Sequence, residues 1–561
     1  MQEYTLFQDS AHAQTVDIPA FGGKLDVSWN PESQVTQWGG LAYFVSYLKT
    51  SGLFDRLVED APFHYTSPNA PDVRDVVGTT VLAIVCGFTR YVHINRLRND
   101  TVLAALLGLG RIVSEDSVRR ALKSADGCEL DAWLARHEKD VFDRLLSFQY
   151  VIDIDNTVKP IFGHQEGAEL GYNPQKPGRP SHNFHSYFIG SIRISLGVDV
   201  LPGRRHSGIC GTPRLWEIID GLPPEKRPRL LRGDVGYSGD ENMCEAEKRG
   251  LMYLFKIRRT KTVLALLRQY ENSREWIDAG EGWEALEVSI RLGGWKKSRR
   301  CILLRRPSKD VRRIELATKP RRRGRPKKNA PELVQGEFEF VEDRAGKYWD
   351  CCALVTNDGK LNTASFAQIY RDRGDCENNF DEYKNQYGWG GFVTKDLKPC
   401  RAIARLIAIV ANWWNIFCRL ADGDRHLEPT TSRPMYMGVV GRLVISGRKR
   451  LLRLTSTHLK AREIQSSLMR IGAFMKRISA IAEQLDLIRV IQLPNIDYYG
   501  LKMRLDPVSI VRSRDFQKSK WQSRVIPYPP PSGTPASPMA TTHINRYACR
   551  VPRHCGYLEQ P

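Results

Sequence analysis

From Gly39 onward apolar residues recur every three or four positions: Leu41, Phe44, Val45 and Leu48, then Leu53 and Leu57. That spacing belongs to a helix with one buried face. It predicts further helices at about 73–88, 101–107 and 130–147. Between the last two, Ser114-Glu-Asp-Ser-Val-Arg-Arg-Ala-Leu-Lys opens on a capping serine, with early acids and late cations. The result is a helix with a basic outer face. It fits either the second helix of a helix-turn-helix, which enters a major groove, or a plain surface helix. Residues 1–35 read as a loose leader with a few short strands or turns.

At Gln149 the period changes from helical to strand-like. Gln149-Tyr-Val-Ile-Asp-Ile-Asp predicts a short apolar strand, and His185–Ile192 and Ser195–Val200 predict a hairpin about Ile194. A helix near Arg214–Asp220 precedes a strand at Arg229–Asp234, and a helix at 240–249 precedes a strand at Met252–Ile257. Strand-like pieces follow at Leu286–Leu292, Cys301–Arg305, Arg312–Leu316 and Glu337–Val341, broken by basic or Gly/Pro-rich turns. Tyr348–Thr356 is a last strand before helices at 370–384, 399–420 and 460–485. Three strands, a helix, a strand and further α/β units give the order of a ribonuclease-H-like sheet; another mixed α/β layout has the same periodicity.

The expected organisation is a helical region for DNA binding and pairing (1–147), then the first part of the α/β core (148–257). A β-rich basic insertion (258–345) interrupts the core before its second part and a helix of functional acids (346–425). A helical region (426–510) and a Pro/Ser-rich tail (511–561) complete it. No internal repeat is visible.

Net charge sharpens the picture. Eighty-four Lys and Arg against 63 Asp and Glu leave +21 over 561 residues. Residues 296–328 alone hold 16 cations against Asp310 and Glu315. So dense a block repels itself unless it faces phosphates or water, so nucleic acid is the leading partner and a membrane surface the runner-up. No uninterrupted apolar run reaches the roughly 18 residues of a bilayer span; the longest, Ala402–Val410, carries Arg405 and suits a core or amphipathic helix. The start of the chain lacks the basic-then-apolar order of a signal peptide. Twelve scattered cysteines, with no Cys-x-x-Cys, fit reduced thiols in a cytoplasm better than zinc.

The candidate chemistry lies in three acids. Asp155 closes the strand begun at Val151, and Asp153 shares its face. Asp234 ends a strand in Arg232-Gly-Asp-Val-Gly-Tyr-Ser-Gly. Glu377 lies in a predicted helix where Tyr370, Arg373, Glu377 and Lys384 recur at offsets 0, 3, 7 and 14. At about 100° per residue those offsets fall within a stripe roughly 60° wide. Carboxylates from two strands and a helix can hold two divalent ions and cut a phosphodiester; hard oxygen donors suit Mg²⁺ or Mn²⁺ rather than zinc. Singly, Asp155 and Asp234 are also ordinary turn formers, and Arg373–Glu377 an ordinary surface pair.

The spacing Tyr-x2-Arg-x3-Glu-x6-Lys resembles the signature of DDE transposases of bacterial insertion sequences. Phe162-Gly-His-Gln-Glu-Gly-Ala and Gly171-Tyr-Asn-Pro-x-Lys-x-Gly-Arg-Pro-Ser181 resemble the insertion sequence 1380 family, whose catalytic fold has a β-strand insertion before the glutamate. The resemblance implies a ribonuclease-H-like core with Asp155, Asp234 and Glu377 as catalytic and metal-binding acids, Asp153 competing for the first place. It implies Tyr370, Arg373 and Lys384 as DNA contacts and two Mg²⁺ or Mn²⁺ ions as cofactors. The implied partners are double-stranded DNA, as element ends and target, and further copies of the chain, as a homodimer or larger. Leu201-Pro-Gly-Arg-Arg stands where that family suggests Arg-Pro-Gly-Asn, and the Pro-rich tail looks added.

Lys176 and Arg179, beside the first acid, are candidate DNA contacts. His182 and His185, three apart, suggest a strand with satisfied imidazoles rather than a metal site. Arg323-Gly-Arg-Pro326 matches the core of an AT-hook, which lays arginine in a minor groove; a solvated loop gripping phosphate is the simpler reading, and Arg323 and Arg325 touch DNA in both. Trp283 and Trp295 suit core packing, or stacking on an unpaired base; Trp413 and Trp414 suit a core. Two alternatives to a transposase remain: a structure-specific nuclease on the same fold, and a catalytically idle transposase-derived DNA-binding protein.

Overall fold

The computed structural model describes residues 16–28, 30, 33–142, 146, 149–174, 176–205, 211–308, 340–342, 348–423 and 426–481. Arg323, Arg325, the expected strand at Arg312–Leu316 and the Pro-rich tail lie outside them.

An exposed hairpin, β1 (Val16–Ala20) and β2 (Gly23–Val27), and the short β3 (Val35–Thr36) precede six helices. These are α1 (Leu41–Ser51), α2 (Leu53–Glu59), α3 (Val73–Val85), α4 (Thr101–Leu107), α5 (Glu115–Ser124) and α6 (Gly127–Phe142). Their starts are well capped: Asp72, Asp100 and Ser114 side chains accept from the N–H groups of Arg74, Leu103 and Ser117. Gly52, at φ +66°, turns the chain between α1 and α2.

A ten-stranded mixed sheet follows. In chain order its elements are β4 (Val151–Pro160), β5 (Ser181–Ile189), β6 (Ile194–Pro202), α7 (Thr212–Asp220), β7 (Leu230–Gly233), α8 (Asp240–Lys248), β8 (Met252–Ile257), α9 (Lys261–Gln269), β9 (Ile277–Asp278), β10 (Glu284–Ile290), β11 (Arg299–Pro307), β12 (Phe340–Glu342) and β13 (Tyr348–Thr356). The spatial order is β6-β5-β4-β7-β8-β13-β11-β10-β9, with β12 on β13. Only β4-β7-β8, at the centre, are parallel. Ile152, Ile154, Leu231 and Phe255 face one apolar layer with α7, α8 and α9; Leu230, Leu254 and Leu354 face a second layer, with Phe366 and Ala367.

The chain continues through α10 (Thr363–Arg371), α11 (Gly374–Asp381), a π-helical turn (Glu382–Gln386), α12 (Leu397–Ala421), α13 (Pro429–Tyr436), β14 (Val440–Ser446), β15 (Lys449–Thr455) and α14 (Ala461–Ile481). The helix α12 is long and apolar enough to cross a membrane by composition, yet most of it is buried inside the fold. Ile407, Val410, Trp413, Trp414 and Phe417 join the N-terminal helices in one core. Its polar residues have partners: Arg405 forms two hydrogen bonds to Glu138, at 2.9 and 2.7 Å. Asn412 exchanges two with the Ser195 backbone, locking α12 to β6.

Three features differ from the sequence expectation. The strands of 258–345 are hydrogen-bonded into the main sheet, extending it beyond β13 instead of standing apart as a module. The stretch expected as one regular helix from Tyr370 to Lys384 keeps a right-handed helical backbone but is irregular: α10 ends at Arg371, a tightened turn at Asp372–Arg373 leads into α11, and Lys384 lies in the π turn. Asp372 and Gly374, poor helix formers, flank that joint. The third is a β-hairpin, β14–β15, within the region expected to be helical. Its leucines and arginines favour helix, but Gly447 at φ +57° turns the chain.

Candidate active site

Two acids meet where the parallel β4–β7 pairing stops: β7 ends at Gly233, while β4 runs on to Pro160 beside β5, so Asp155 lies within its strand and does not close it as the sequence suggested. The β4–β7 register pairs Asp153 with Arg232 and Ile154 with Gly233. Continued by one residue, it sets Asp155 across from Asp234, one strand spacing of about 5 Å away. Alternation along β4 sends Ile152 and Ile154 to the apolar layer and both aspartates to the face where α10 and α11 pack.

Asp153 and Asp155 have different partners. Asp153 is fully buried and takes a two-pronged ion pair from Arg232, at 2.5 and 2.8 Å. Arg232 also donates to the Ile369 carbonyl, tying β7 to α10. Asp155 accepts from the Asn156 N–H at 2.9 Å and from Arg373 Nη2 at 2.5 Å. Asp234 caps the turn that follows it, accepting from the Gly236 N–H at 2.8 Å.

Burial pushes the Asp155 carboxyl up to about 7; Arg373 pulls it down, and the neighbouring Asp234 charge pushes it up again. The Tyr370 phenol is raised, first by burial, and feels Arg373, Asp234 and Asp155 in turn. Asp155, Asp234, Tyr370 and Arg373 therefore share one electrostatic neighbourhood. Tyr237 lies within it too: its phenol is raised well above the usual range by burial and then by Tyr187, Asp155 and Asp234. His185 Nδ1 stands 3.4 Å from the Tyr237 hydroxyl. Tyr237 has no signal of its own in the sequence, though the glycines around it in Asp234-Val-Gly-Tyr-Ser-Gly mark the turn that carries it.

The other candidates are placed differently. Glu377 is exposed on α11, one helical turn beyond Arg373. Lys384 is half-buried in the π turn, its pKa lowered by that burial. Lys176 Nζ and Arg179 Cζ lie 4.7 and 4.5 Å from the ring centre of exposed Phe162. Asn173, itself buried, holds this loop by accepting from the Lys176 N–H and donating to the Arg179 carbonyl. His182 Nε2 bonds the Glu166 carbonyl.

Among the described residues no three His, Cys, Asp or Glu side chains stand close enough together to hold a metal ion. Asp155 and Asp234 come together; Glu377 does not complete a ligand set with them. The reason is local. Glu377 is exposed one turn beyond Arg373, and it is the Arg373 guanidinium that occupies Asp155 Oδ2. The pair itself suits a divalent cation: two neighbouring carboxylates, Asp155 paired with one arginine and pushed up by burial and by the charge of Asp234, are the setting such a cation relieves.

Residues 146–413 match the family model described as the transposase DDE domain. This DDE domain match spans β4 to the first two-thirds of α12, so all the acids above lie inside it. No curated protein matches the chain. One solved structure, a piggyBac transposase synaptic complex with hairpin DNA, aligns with 82% of this chain and 85% of its own. Identity is 11% and the TM-score 0.34, too distant a likeness to carry an argument.

Proposed function

We propose that this chain is a DNA transposase of the insertion sequence 1380 type that cuts the ends of its element and joins them to target DNA. The observation that carries the reading is Asp155, on β4, beside Asp234, just past the end of the parallel strand β7, inside a stretch matching the transposase DDE domain. In this reading they are the first and second acids on a ribonuclease-H-like core, and Glu377 is the third. Asp153 is then the anchor of Arg232.

Asp155 and Asp234 would hold Mg²⁺ or Mn²⁺, and Glu377 would have to close on them from its exposed place on α11 to complete the set. Such ions, when bound, activate the attacking oxygen and neutralise charge on the leaving one. The residues of the chain do the rest. Arg373, already drawn to Asp155, is a cation at the cut and receives the phosphodiester; Lys384 lies further along the same segment. The buried Tyr237 and half-buried Tyr370 form an apolar wall beside the carboxylates. Water attacks the phosphorus and the 3′-oxygen leaves as a hydroxyl; that hydroxyl then attacks a phosphodiester of the target, releasing its 3′-oxygen. One bond forms as one breaks in each step. Two or more copies on paired DNA ends complete the proposal.

The test is a plasmid carrying the DNA that flanks this reading frame, incubated with the full-length protein and Mg²⁺. Nicks at the element ends followed by joined products are expected. Asp155→Ala, Asp234→Ala and Glu377→Gln should each lower nicking by about 10²–10⁴-fold or more while gel-shift binding persists. Cutting without joining would identify a nuclease. Function that persists in all three variants would identify a DNA-binding protein without catalysis.

A further inference from the structure

We propose that the β14–β15 ribbon is a grip for duplex DNA, reading no acid of the active site and contacting phosphates through its outward face. The proposal rests on the DNA-cutting reading above for the identity of its polyanion. Residues 440–455 contain Arg442, Arg448, Lys449, Arg450 and Arg453, and no Asp or Glu. All five cations are exposed, and among the described residues none forms an ion pair with a carboxylate.

The register sorts the two faces. Gly441, Leu443, Leu452 and Leu454 face inward, and a Cβ on Gly441 would stand 3.1 Å from the Gly39 Cα, so this side is seated on the segment before α1. Hydrogen bonding of β14 to β3 fixes the base of the ribbon. The opposite face carries Arg442, Arg453 and Lys449, interleaved with exposed Val440 and Leu451. Arg442 pairs directly with Arg453 across the strands. Like charges directly opposite destabilise a hairpin, and nothing described here compensates them. Such a pair is retained at a stability cost unless a polyanion meets it.

Duplex DNA is the occupant that fits. Two strands about 5 Å apart are narrower than a major groove of about 12 Å, which admits a two-stranded ribbon. A second copy of the ribbon would bring five more cations against these five. The exposed apolar side chains of the ribbon are split between its faces, Val440 and Leu451 on one and Ile445 beside Arg450 on the other, so neither face offers an apolar surface that would seat the hairpin in lipid.

The test measures binding of the full-length protein to a fluorescently labelled mixed-sequence DNA duplex across a KCl series. If Arg442 and Arg453 each neutralise a phosphate, Arg442→Gln/Arg453→Gln lowers the slope of log affinity against log salt by about 1.8, and affinity near 0.1 M salt by about 60-fold. Melting of the free variant should occur no earlier than that of wild type, because a repulsive pair has been removed. Lys449→Gln/Arg450→Gln, at the tip, provides a second variant with the same expected direction, and Lys24→Gln, on the β1–β2 hairpin, should leave the slope unchanged. An unchanged slope in both ribbon variants, or a fall in melting temperature matching the loss of binding, overturns the proposal. So does a ribbon variant that loses binding to phosphatidylserine vesicles while keeping DNA. Wild-type nicking with an unaffected slope leaves the active-site reading standing and removes the ribbon alone; absence of any DNA binding by wild type removes both.

Discussion

Asp153 and Asp155 are two residues apart on one strand face, yet the structure gives them opposite energetic signs. Asp153→Asn breaks a fully buried ion pair and strands Arg232 in the sheet. Breaking such a pair costs about 3–5 kcal/mol, a fall of about 6–20 °C in melting temperature at the scale of a 150–250-residue domain. Asp155→Asn removes a charge the fold disfavours. The gap between an ordinary carboxyl at 3.8 and one at about 7 corresponds to about 4 kcal/mol. The sign follows from linkage: the folded state holds this proton more tightly than the unfolded chain. Its stabilising contribution is present below about pH 4 and lost as pH rises through about 7. Asp155→Asn should therefore match wild type below about pH 4, gain on it between about pH 4 and 7 and hold that gain above it, less whatever the loss of the Arg373 pair subtracts. Thermal melts in EDTA across that range, beside nicking assays in Mg²⁺, read both quantities. Equal destabilisation of the two variants refutes the electrostatic argument. A stable Asp153→Asn that cannot nick, beside an Asp155→Asn that can, would exchange their roles.

Two further outcomes test the frame around the site. Arg405→Ala should cost about 3–5 kcal/mol in urea unfolding, because Glu138 is left buried with Arg214 as its remaining partner. Gly391→Ala should unfold earlier than wild type and be recovered poorly: its Cβ would stand 1.6 Å from the Thr89 carbonyl oxygen, a backbone atom that cannot step aside.

Much of the sheet was legible because its strands carry local signals. Met252–Ile257 and Tyr348–Thr356 match their predicted spans, and α4 matches 101–107. Apolar runs that end on Asp155 and Asp234 pointed to the two acids that the register sets side by side. The role of Asp153 was hidden, since Arg232 lies 79 residues further along the chain and no local pattern links them. The β14–β15 hairpin was hidden for a different reason: Leu and Arg carry helical preference, and tertiary contact with the Gly39 segment overrides it. The paired histidines were weighed correctly as bonded side chains, His182 to a carbonyl and His185 to Tyr237.

The irregular turn between α10 and α11 has the largest consequence for the site. On one straight helix Tyr370, Arg373, Glu377 and Lys384 would be fixed to one another by the helix alone, and their stripe would move as a unit. With the joint at Arg373, each side is held by its own contacts. Phe366 and Ala367 bury α10 against the sheet, and the Arg232 bond to the Ile369 carbonyl anchors its last turn. On the other side, Arg193 donates to Asn379 at 2.8 Å, and the Phe380 ring packs edge-on against Phe188. The position of Glu377 relative to Asp155 is thus set by how α11 docks on β5 and the turn at 190–192, through groups that touch neither acid. Arg373 sits at the joint and bonds Asp155, so it reports on both sides at once. A sequence motif can specify which residues share a segment; the distance from Glu377 to Asp155 and Asp234 follows from packing through Asn379 and Phe380.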